Sequence, residues 1–220
     1  MTSLKTGRST VRRAPQRARY DRESLYEVLD AGFVCHVGIV DGAAPVVIPT
    51  LYGRLGDELV IHGATTSRLM RAVAAGATIC IAVTHVDGLV LARSLFHHSM
   101  NYRSAVVFGT GREIEDAGEK RRALDAISDQ LLPGRGEDAR GPSDGELRAT
   151  KVVAIRIEEA SLKQRTGPPV DDEADHALPV WAGVLPLTAE WGEPEPDPQG
   201  GSDRGLPAYL QDPPPPGRTR

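Results

Sequence analysis

Residues 61–72, IHGATTSRLMRA, place small hydroxyl side chains and an arginine where a strand is predicted to lead into a helix. Thr66 or Ser67 can cap that helix, and Arg68 then lies in its first turn. Unpaired amides at a helix start and a guanidinium group together bind phosphate well. The same residues also suit a helix on which Ser67 only caps and Arg68 only faces solvent. The segment therefore predicts either a phosphate site or an ordinary capped helix.

A second polar segment precedes an apolar strand at residues 98–109, HSMNYRSAVVFG. Strand alternation puts Tyr102 and Ser104 on one face and Arg103 on the other. A strand that is buried along most of its length but polar at its start is typical of a ligand crevice at the rim of a barrel. An edge strand whose Arg103 extends into solvent would give the same pattern, so both interpretations stay open.

The histidines and cysteines do not follow the spacing of a metal site. His97 and His98 are adjacent, so on a strand they point to opposite faces, and no histidine-carboxylate motif of the metalloprotease type occurs. We therefore predict no bound metal ion. Cys35 and Cys80 lie in separate apolar runs, which indicates buried thiols in a reducing cytoplasm.

Hydrophobic periodicity predicts a mainly β protein with helices, an α+β fold. The Asp41-Gly42 and Asp87-Gly88 pairs are typical of hairpin turns. Strands are predicted over residues 33–40, 44–52, 59–63, 78–86, 89–96, 102–114 and 151–164, and helices over 21–31, 65–75 and 117–132. In a chain of this length, these elements favour a small antiparallel barrel with helices packed at its openings.

Composition excludes several classes of function. The chain has 220 residues and a formal net charge of -4, so it lacks the basic character of a general nucleic-acid-binding protein. No apolar run approaches the ~20 residues of a membrane helix. Arg12-Arg13 is not followed by a hydrophobic segment, which argues against an export signal. We therefore expect a cytoplasmic protein that acts on a small molecule, without a nucleic-acid or membrane partner.

Both ends of the chain differ in composition from the middle. Residues 1–19 are rich in arginine and predict a basic flexible arm. Eight of the 17 prolines lie after position 190, among many acidic residues. Such a segment buries little apolar surface, so residues 188–220 predict a proline-rich acidic tail without fixed structure.

Four stretches in this order resemble the pyridoxamine 5'-phosphate oxidase-like superfamily of FMN-binding split barrels. They are VVIPTLYG, LVIHGATTSRLMRA, NYRSAVVFGTGREI and SLKQRTGPP. The likeness is greatest to the flavin-nucleotide-binding branch that contains the Nim-type nitroimidazole reductases. It covers residues 20–187 and implies a six- to seven-stranded antiparallel split barrel. The acidic C-terminus differs from the basic C-terminal segment of the pyridoxamine oxidases proper, which argues against vitamin B6 oxidation.

The resemblance also implies roles for individual residues. Ser67 and Arg68 would hold the FMN phosphate, and His62 would face the flavin and the substrate as the catalytic residue. Tyr102, Arg103 and Ser104 would reach the flavin near the interface of a homodimer. The complete set of cofactor-binding residues implied is Pro49, Thr50, Leu51, Tyr52, His62, Gly63, Ser67, Arg68, Tyr102, Arg103, Ser104 and Lys163.

The function expected from this likeness is that of a small FMN-dependent oxidoreductase, with its cofactor sites at a homodimer interface. Two alternatives keep the same fold. One is a reductase that uses a deazaflavin. The other is a binding or sensing protein that holds flavin or heme without turnover, with a histidine such as His98 as the axial ligand of the heme.

Overall fold

A computed structural model describes residues 3–200 and 205–217 of the chain. Within these residues the strands are β1 (Ala18–Arg19), β2 (Val34–Asp41), β3 (Ala44–Leu51), β4 (Gly53–Leu55), β5 (Glu58–Ala64), β6 (Thr78–Leu91), β7 (Ser99–Glu113), β8 (Thr150–Arg156), β9 (Glu159–Arg165) and β10 (Gly183–Pro186). The helices are α1 (Arg22–Asp30), α2 (Arg68–Ala74), α3 (Ala117–Leu131), α4 (Arg135–Asp138), α5 (Asp144–Ala149) and α6 (Ala208–Gln211).

The strands form one antiparallel sheet with the order β3-β2-β6-β7-β8-β5-β4. The strands at the two ends of this order, β3 and β4, follow one another in the chain and are separated only by Tyr52. Strand β3 pairs with β2, and β4 pairs with β5. The sheet therefore curves round and closes on itself as a barrel. The remaining strands extend it: β9 pairs with β7 and β1, and β10 pairs with β6.

Two apolar clusters stabilise this arrangement. The main core fills the barrel with alternate residues of β2, β6 and β7, and α1 and α2 pack onto it through Leu29, Met70 and Val73. A smaller cluster lies outside the barrel, where Ala123 and Ile127 of α3 cover Val60 and Val152. Alternation along β5 thus sends Ile61 into the main core and Val60 under α3.

The long strand β6 differs from the sequence prediction. Asp87-Gly88 was expected to be a hairpin turn, but β6 continues through it with a β-bulge between Val86 and Gly88. Tertiary contacts explain this outcome. Arg103 on the paired strand binds the Asp87 carboxylate, and β10 pairs with Gly88–Leu91 on the other side. A second difference is that residues 151–164 form two strands, β8 and β9, which pair with different parts of β7.

The N-terminal segment, expected to be a flexible arm, packs on the barrel instead. Leu4 is 1% exposed and belongs to the main core. Arg8 lies 5.0 Å from the centre of the Phe108 ring and forms an ion pair with Glu159 at 2.5 Å. Strand β1 then pairs with β9. Apolar burial and cation–π stacking therefore offset the cost of ordering this basic segment.

The described part of the C-terminal tail also contacts the barrel rather than extending freely. Trp191 stacks on Phe33 with 6.1 Å between the ring centres, and its Nε1 donates to the Pro214 carbonyl at 2.8 Å. The Gly217 N–H donates to the Ala31 carbonyl at 3.1 Å. The stacking of Trp191 and these two hydrogen bonds thus hold the tail against the barrel, although its composition predicted disorder. In the two described ranges, no helix is long and apolar enough to cross a membrane.

Candidate functional site

The strand pairing that closes the barrel is interrupted next to Tyr52. Several predicted site residues lie along this split. Gly53 pairs with Val60, so continued pairing would put Leu51 opposite His62. The pairing ends instead, because β3 and β5 are not neighbours in the sheet order, although they stay in contact. The edge of β3 at Pro49, Thr50 and Leu51 therefore lies beside the edge of β5 at His62 and Gly63. Edge strands present backbone N–H and C=O groups that a ligand can bind.

His62 is the unusual side chain at this split. It lies on the outer face of β5 and is half-buried. Its Nδ1 atom is buried and has no hydrogen-bond partner among the described residues. Burial lowers the pKa of the imidazole, so the ring is neutral near pH 7. A buried polar atom without a partner is costly, and its presence points to a ligand or water at this position.

Ser67 and Arg68 follow directly after this edge. Ser67 caps α2, and its Oγ accepts from the Met70 N–H at 3.4 Å. Gly63 lets α2 approach closely, because a Cβ there would come within 2.9 Å of Met70 Cγ. Arg68 Nη1 donates to Asp41 Oδ2 at 3.1 Å, and both side chains are about half exposed. Exposed ion pairs are weak, so an incoming phosphate can compete with Asp41 for Arg68.

A second group of predicted residues lies further round the barrel. Tyr102 and Ser104 are on the outer face of β7, and Lys163 is paired with Ser104 from β9. Ser104 Oγ is 2.9 Å from Thr84 Oγ1 on β6. Arg68 binds Asp41, which the strand register places near the opposite end of β7 from Tyr102 and Ser104. One chain therefore does not bring Tyr102, Ser104 and Lys163 to Arg68.

Two predicted residues lie away from both groups. The Tyr52 side chain is fully buried in the main core, and its hydroxyl donates to the Leu29 carbonyl. Arg103 points to the opposite face from its neighbours in the triplet, as strand alternation requires. It binds Asp87 at 2.7 Å and the Gly217 carbonyl at 2.7 Å through Nη2. The Tyr-Arg-Ser triplet therefore does not line one common crevice.

Arg103 instead lines a cavity of about 450 Å³ at one end of the barrel. Its wall includes Phe33, His85 and Asp87, together with Gly217 from the tail. The His85 ring donates from Nε2 to the Val28 carbonyl at 3.0 Å, and burial lowers its pKa. Sequence reasoning did not single out His85. Its place opposite Arg103 follows from the pairing of β6 with β7, which the predicted turn at Asp87-Gly88 did not suggest.

Acidification is expected to destabilise the fold through the half-buried histidines His62 and His85. Burial lowers the folded-state pKa of His62 and His85 below the ordinary value of about 6.5. The unfolded chain then binds more protons than the folded one as the pH falls below about 6.5, so the free energy of unfolding decreases there and is constant above it. Urea unfolding at pH 7.5, 6.5 and 5.5 measures this change.

Replacing His85 by glutamine should reduce the loss of stability between pH 7.5 and pH 5.5. The matched control is His176→Gln, which changes an exposed histidine between β9 and β10. An equal loss in the wild type and in the His85→Gln protein would show that burial of His85 does not contribute.

Comparison with known proteins assigns the family. A family model described as pyridoxamine 5'-phosphate oxidase matches residues 21–164, which is more than half of the chain. The chain belongs to the pyridoxamine 5'-phosphate oxidase family. A search of curated proteins gives no match. The family assignment confirms the resemblance found in the sequence, and the antiparallel barrel confirms the fold class predicted with it.

Solved structures of this family include proteins similar along nearly the whole chain. The flavocytochrome Anf3 from Azotobacter vinelandii is 40% identical, with a TM-score of 0.88, over 94% of this chain and 96% of its own. The FAD and heme binding protein from Mycobacterium smegmatis is 40% identical, with a TM-score of 0.87, over 92% of this chain and 100% of its own. A proposed 5-nitroimidazole antibiotic resistance protein from Bacteroides thetaiotaomicron is 26% identical, with a TM-score of 0.57, over 66% of this chain and 85% of its own.

Proposed function

We propose that this member of the pyridoxamine 5'-phosphate oxidase family is a flavin-dependent oxidoreductase. The observation that carries the proposal is the unpartnered Nδ1 of His62, which lies at the split of the barrel beside the open edge of β3. The two similar proteins named for a flavocytochrome and for FAD and heme binding support the same conclusion. FMN is the flavin expected from the sequence, and FAD is tested beside it because one of these relatives is named for it.

Each part of the split has a role in this proposal. Ser67 and Arg68 would hold the flavin phosphate, and the backbone edge at Pro49–Leu51 would contact the flavin ring. His62, which is neutral, would accept or donate a hydrogen bond to the flavin. The bound flavin would supply hydride or single-electron transfer, while the protein orients it and excludes water.

The free thiols of Cys35 and Cys80 are in keeping with a reducing cytoplasm.

The proposal includes a homodimer. Tyr102, Ser104 and Lys163 lie far round the barrel from Arg68 in one chain, so they can reach the flavin only if a second copy presents them. The outer face between the two groups carries exposed apolar side chains, including Val34 and Val47. Exposed apolar patches of this kind mark association surfaces. A two-fold axis on this face would complete two equivalent sites.

The visible spectrum of the purified protein tests the cofactor. A bound flavin should give a band near ~450 nm and a deazaflavin a band near ~420 nm, and heme adds a Soret band. Mass spectrometry of the molecule released by heat then separates FMN from FAD. Reduction of the bound flavin by a nicotinamide donor supports an oxidoreductase, whereas a flavin that no such donor reduces supports a binding protein. Colourless protein that takes up neither FMN nor FAD contradicts the proposal.

Heme binding is the second candidate function, and His62 is the residue that favours it. His98, the axial ligand expected from the sequence, has its Nε2 atom 3.1 Å from the Ala92 carbonyl and is therefore engaged. His62 has a buried nitrogen that is free among the described residues, and a lowered pKa keeps its ring in the neutral form that binds metals. A heme held by His62 would lie at the same split of the barrel as the proposed flavin site.

Replacing His62 by alanine is expected to abolish the Soret band if heme is bound, while His98→Ala keeps it. The reason is that heme iron requires a strong axial ligand, and His62 would supply it. Absorbance of protein reconstituted with hemin measures the effect. Retention of the band in His62→Ala together with its loss in His98→Ala would reverse the assignment.

A further inference from the structure

A large cavity lies outside the barrel, between the end of α3 and the C-terminal tail. Its volume is about 660 Å³, within the ~300–1,000 Å³ that small-molecule sites occupy. Helix α3 contributes one wall, and the tail contributes the other. The residues that define it are Leu131, Leu132, Arg135, Trp191, Leu206 and Leu210.

The wall of this cavity is mainly apolar and remains accessible to solvent. Leu131, Trp191 and Leu206 are large apolar side chains that stay exposed even though they face one another across the cavity. Leaving such surface in water is unfavourable, and a ligand that covers it gains hydrophobic free energy. Trp191 offers a flat face, and its stacking on Phe33 fixes the position of the indole. The cavity therefore suits an apolar ring.

The charged groups at the rim leave a net negative charge. Arg135 Nη1 donates to the Tyr209 hydroxyl at 2.8 Å and lies 3.3 Å from Asp138 Oδ2, so these two charges offset one another. The same Tyr209 hydroxyl donates to Asp138 at 2.7 Å. Glu193, also on the wall, adds a negative charge. A carboxylate on a ligand would thus meet more negative than positive charge and is disfavoured.

We propose that this cavity binds a flat, apolar ring compound that carries no negative charge. The apolar wall provides the affinity, and the face of Trp191 selects a planar ligand. The excess negative charge at the rim disfavours anionic ligands. Binding here does not depend on the flavin proposal, because none of the six defining residues belongs to the split of the barrel.

Tryptophan fluorescence tests the proposal on the full-length protein as purified. The chain has two tryptophans, so Trp181→Phe leaves Trp191 as the only one, and Trp191→Phe leaves Trp181. The probe is 2,3-dimethyl-1,4-naphthoquinone, whose quinone ring has no free position for addition of a thiol. Saturable quenching of Trp191, with only linear collisional quenching of Trp181, is the expected result. Linear quenching of both tryptophans would overturn the proposal.

Two leucine substitutions in the Trp181→Phe background locate the site. Leu206 lines the cavity and is 45% exposed, whereas Leu178 lies elsewhere and is 44% exposed. Leu206→Ser should weaken binding of the quinone about fivefold through lost apolar contact, and Leu178→Ser should leave it unchanged. Equal effects of the two substitutions would contradict the location. Binding of the anion 2-naphthoate as tight as that of the quinone would contradict the exclusion of negatively charged ligands.

Discussion

Replacing Gly53 by alanine is expected to lower the free energy of unfolding by about 1–3 kcal/mol, the usual cost of overpacking. A Cβ at this position would lie 2.7 Å from the Ala126 carbonyl carbon and 2.8 Å from the Ile127 nitrogen. These are backbone atoms of α3, so no side-chain rotation can relieve the contact. The helix must move away from β4. Urea unfolding of the purified variant measures the loss.

The matched control is Gly136→Ala, a change of the same size in a helix. An added Cβ at Gly136 meets no atom within 4 Å. Alanine there should leave stability unchanged or raise it slightly, because it reduces the freedom of the unfolded chain. If Gly53→Ala is as stable as this control, α3 does not pack against β4 as closely as described.

Replacing Arg68 by alanine is expected to weaken flavin binding by more than about 1 kcal/mol, or about fivefold in Kd. The guanidinium group follows the cap of α2 at Ser67 and can form charge-assisted hydrogen bonds to the flavin phosphate. Titration of protein freed of its cofactor with FMN and with FAD, followed by flavin fluorescence, measures the affinity. An unchanged Kd for both flavins would exclude Arg68 as a phosphate ligand.

Two other substitutions sharpen this test. Arg71→Ala removes the same charge from an exposed position in the same helix and should change the affinity much less. Asp41→Asn removes the carboxylate that holds Arg68 at 3.1 Å and should strengthen flavin binding, because the phosphate no longer competes for the guanidinium group. Equal losses from Arg68→Ala and Arg71→Ala would indicate only a general effect of net charge.

Local signals in the sequence predicted helices α1, α2 and α3. Asp21, at the start of the first predicted helix, caps α1, since its carboxylate accepts from the Ser24 N–H at 2.8 Å. The Asp41-Gly42 turn joins β2 and β3 as predicted, with Gly42 at a φ of 62° that suits glycine. In each case the side chains and the backbone they stabilise are neighbours in sequence, so the information is local.

Long-range contacts account for the features that the sequence did not reveal. Asp87-Gly88 has the composition of a turn but lies in an extended strand, because Arg103 and β10 hold it from both sides. Tyr52 was grouped with the cofactor residues, and only the path of the chain at the closure of the barrel shows that it turns into the core. The positions of such contacts depend on which strands become neighbours, which no local pattern reports.

The candidate site was predicted in part. Of the predicted residues, Pro49–Leu51, His62, Gly63, Ser67 and Arg68 lie along the split, and their role in binding a cofactor stays a prediction. The triplet at 102–104 was assigned to one crevice, although its own alternation separates Arg103 from Tyr102 and Ser104. The cavity between α3 and the tail was not predicted, because the tail was expected to be disordered. Stacking of Trp191 on Phe33 holds in place the tail residues that form one of its walls.

The pairing of β1 with β9 has a consequence for colloidal behaviour. Strand β9 binds β7 along one side, and among the described residues its other side pairs with the two residues of β1 and contacts the segment that leads into it. If proteases removed that segment, the backbone groups of Glu159–Arg165 would become a template on which strands of other molecules could add. Trimmed preparations should therefore self-associate into sheet-rich aggregates, and the N-terminal residues act as a built-in shield against this.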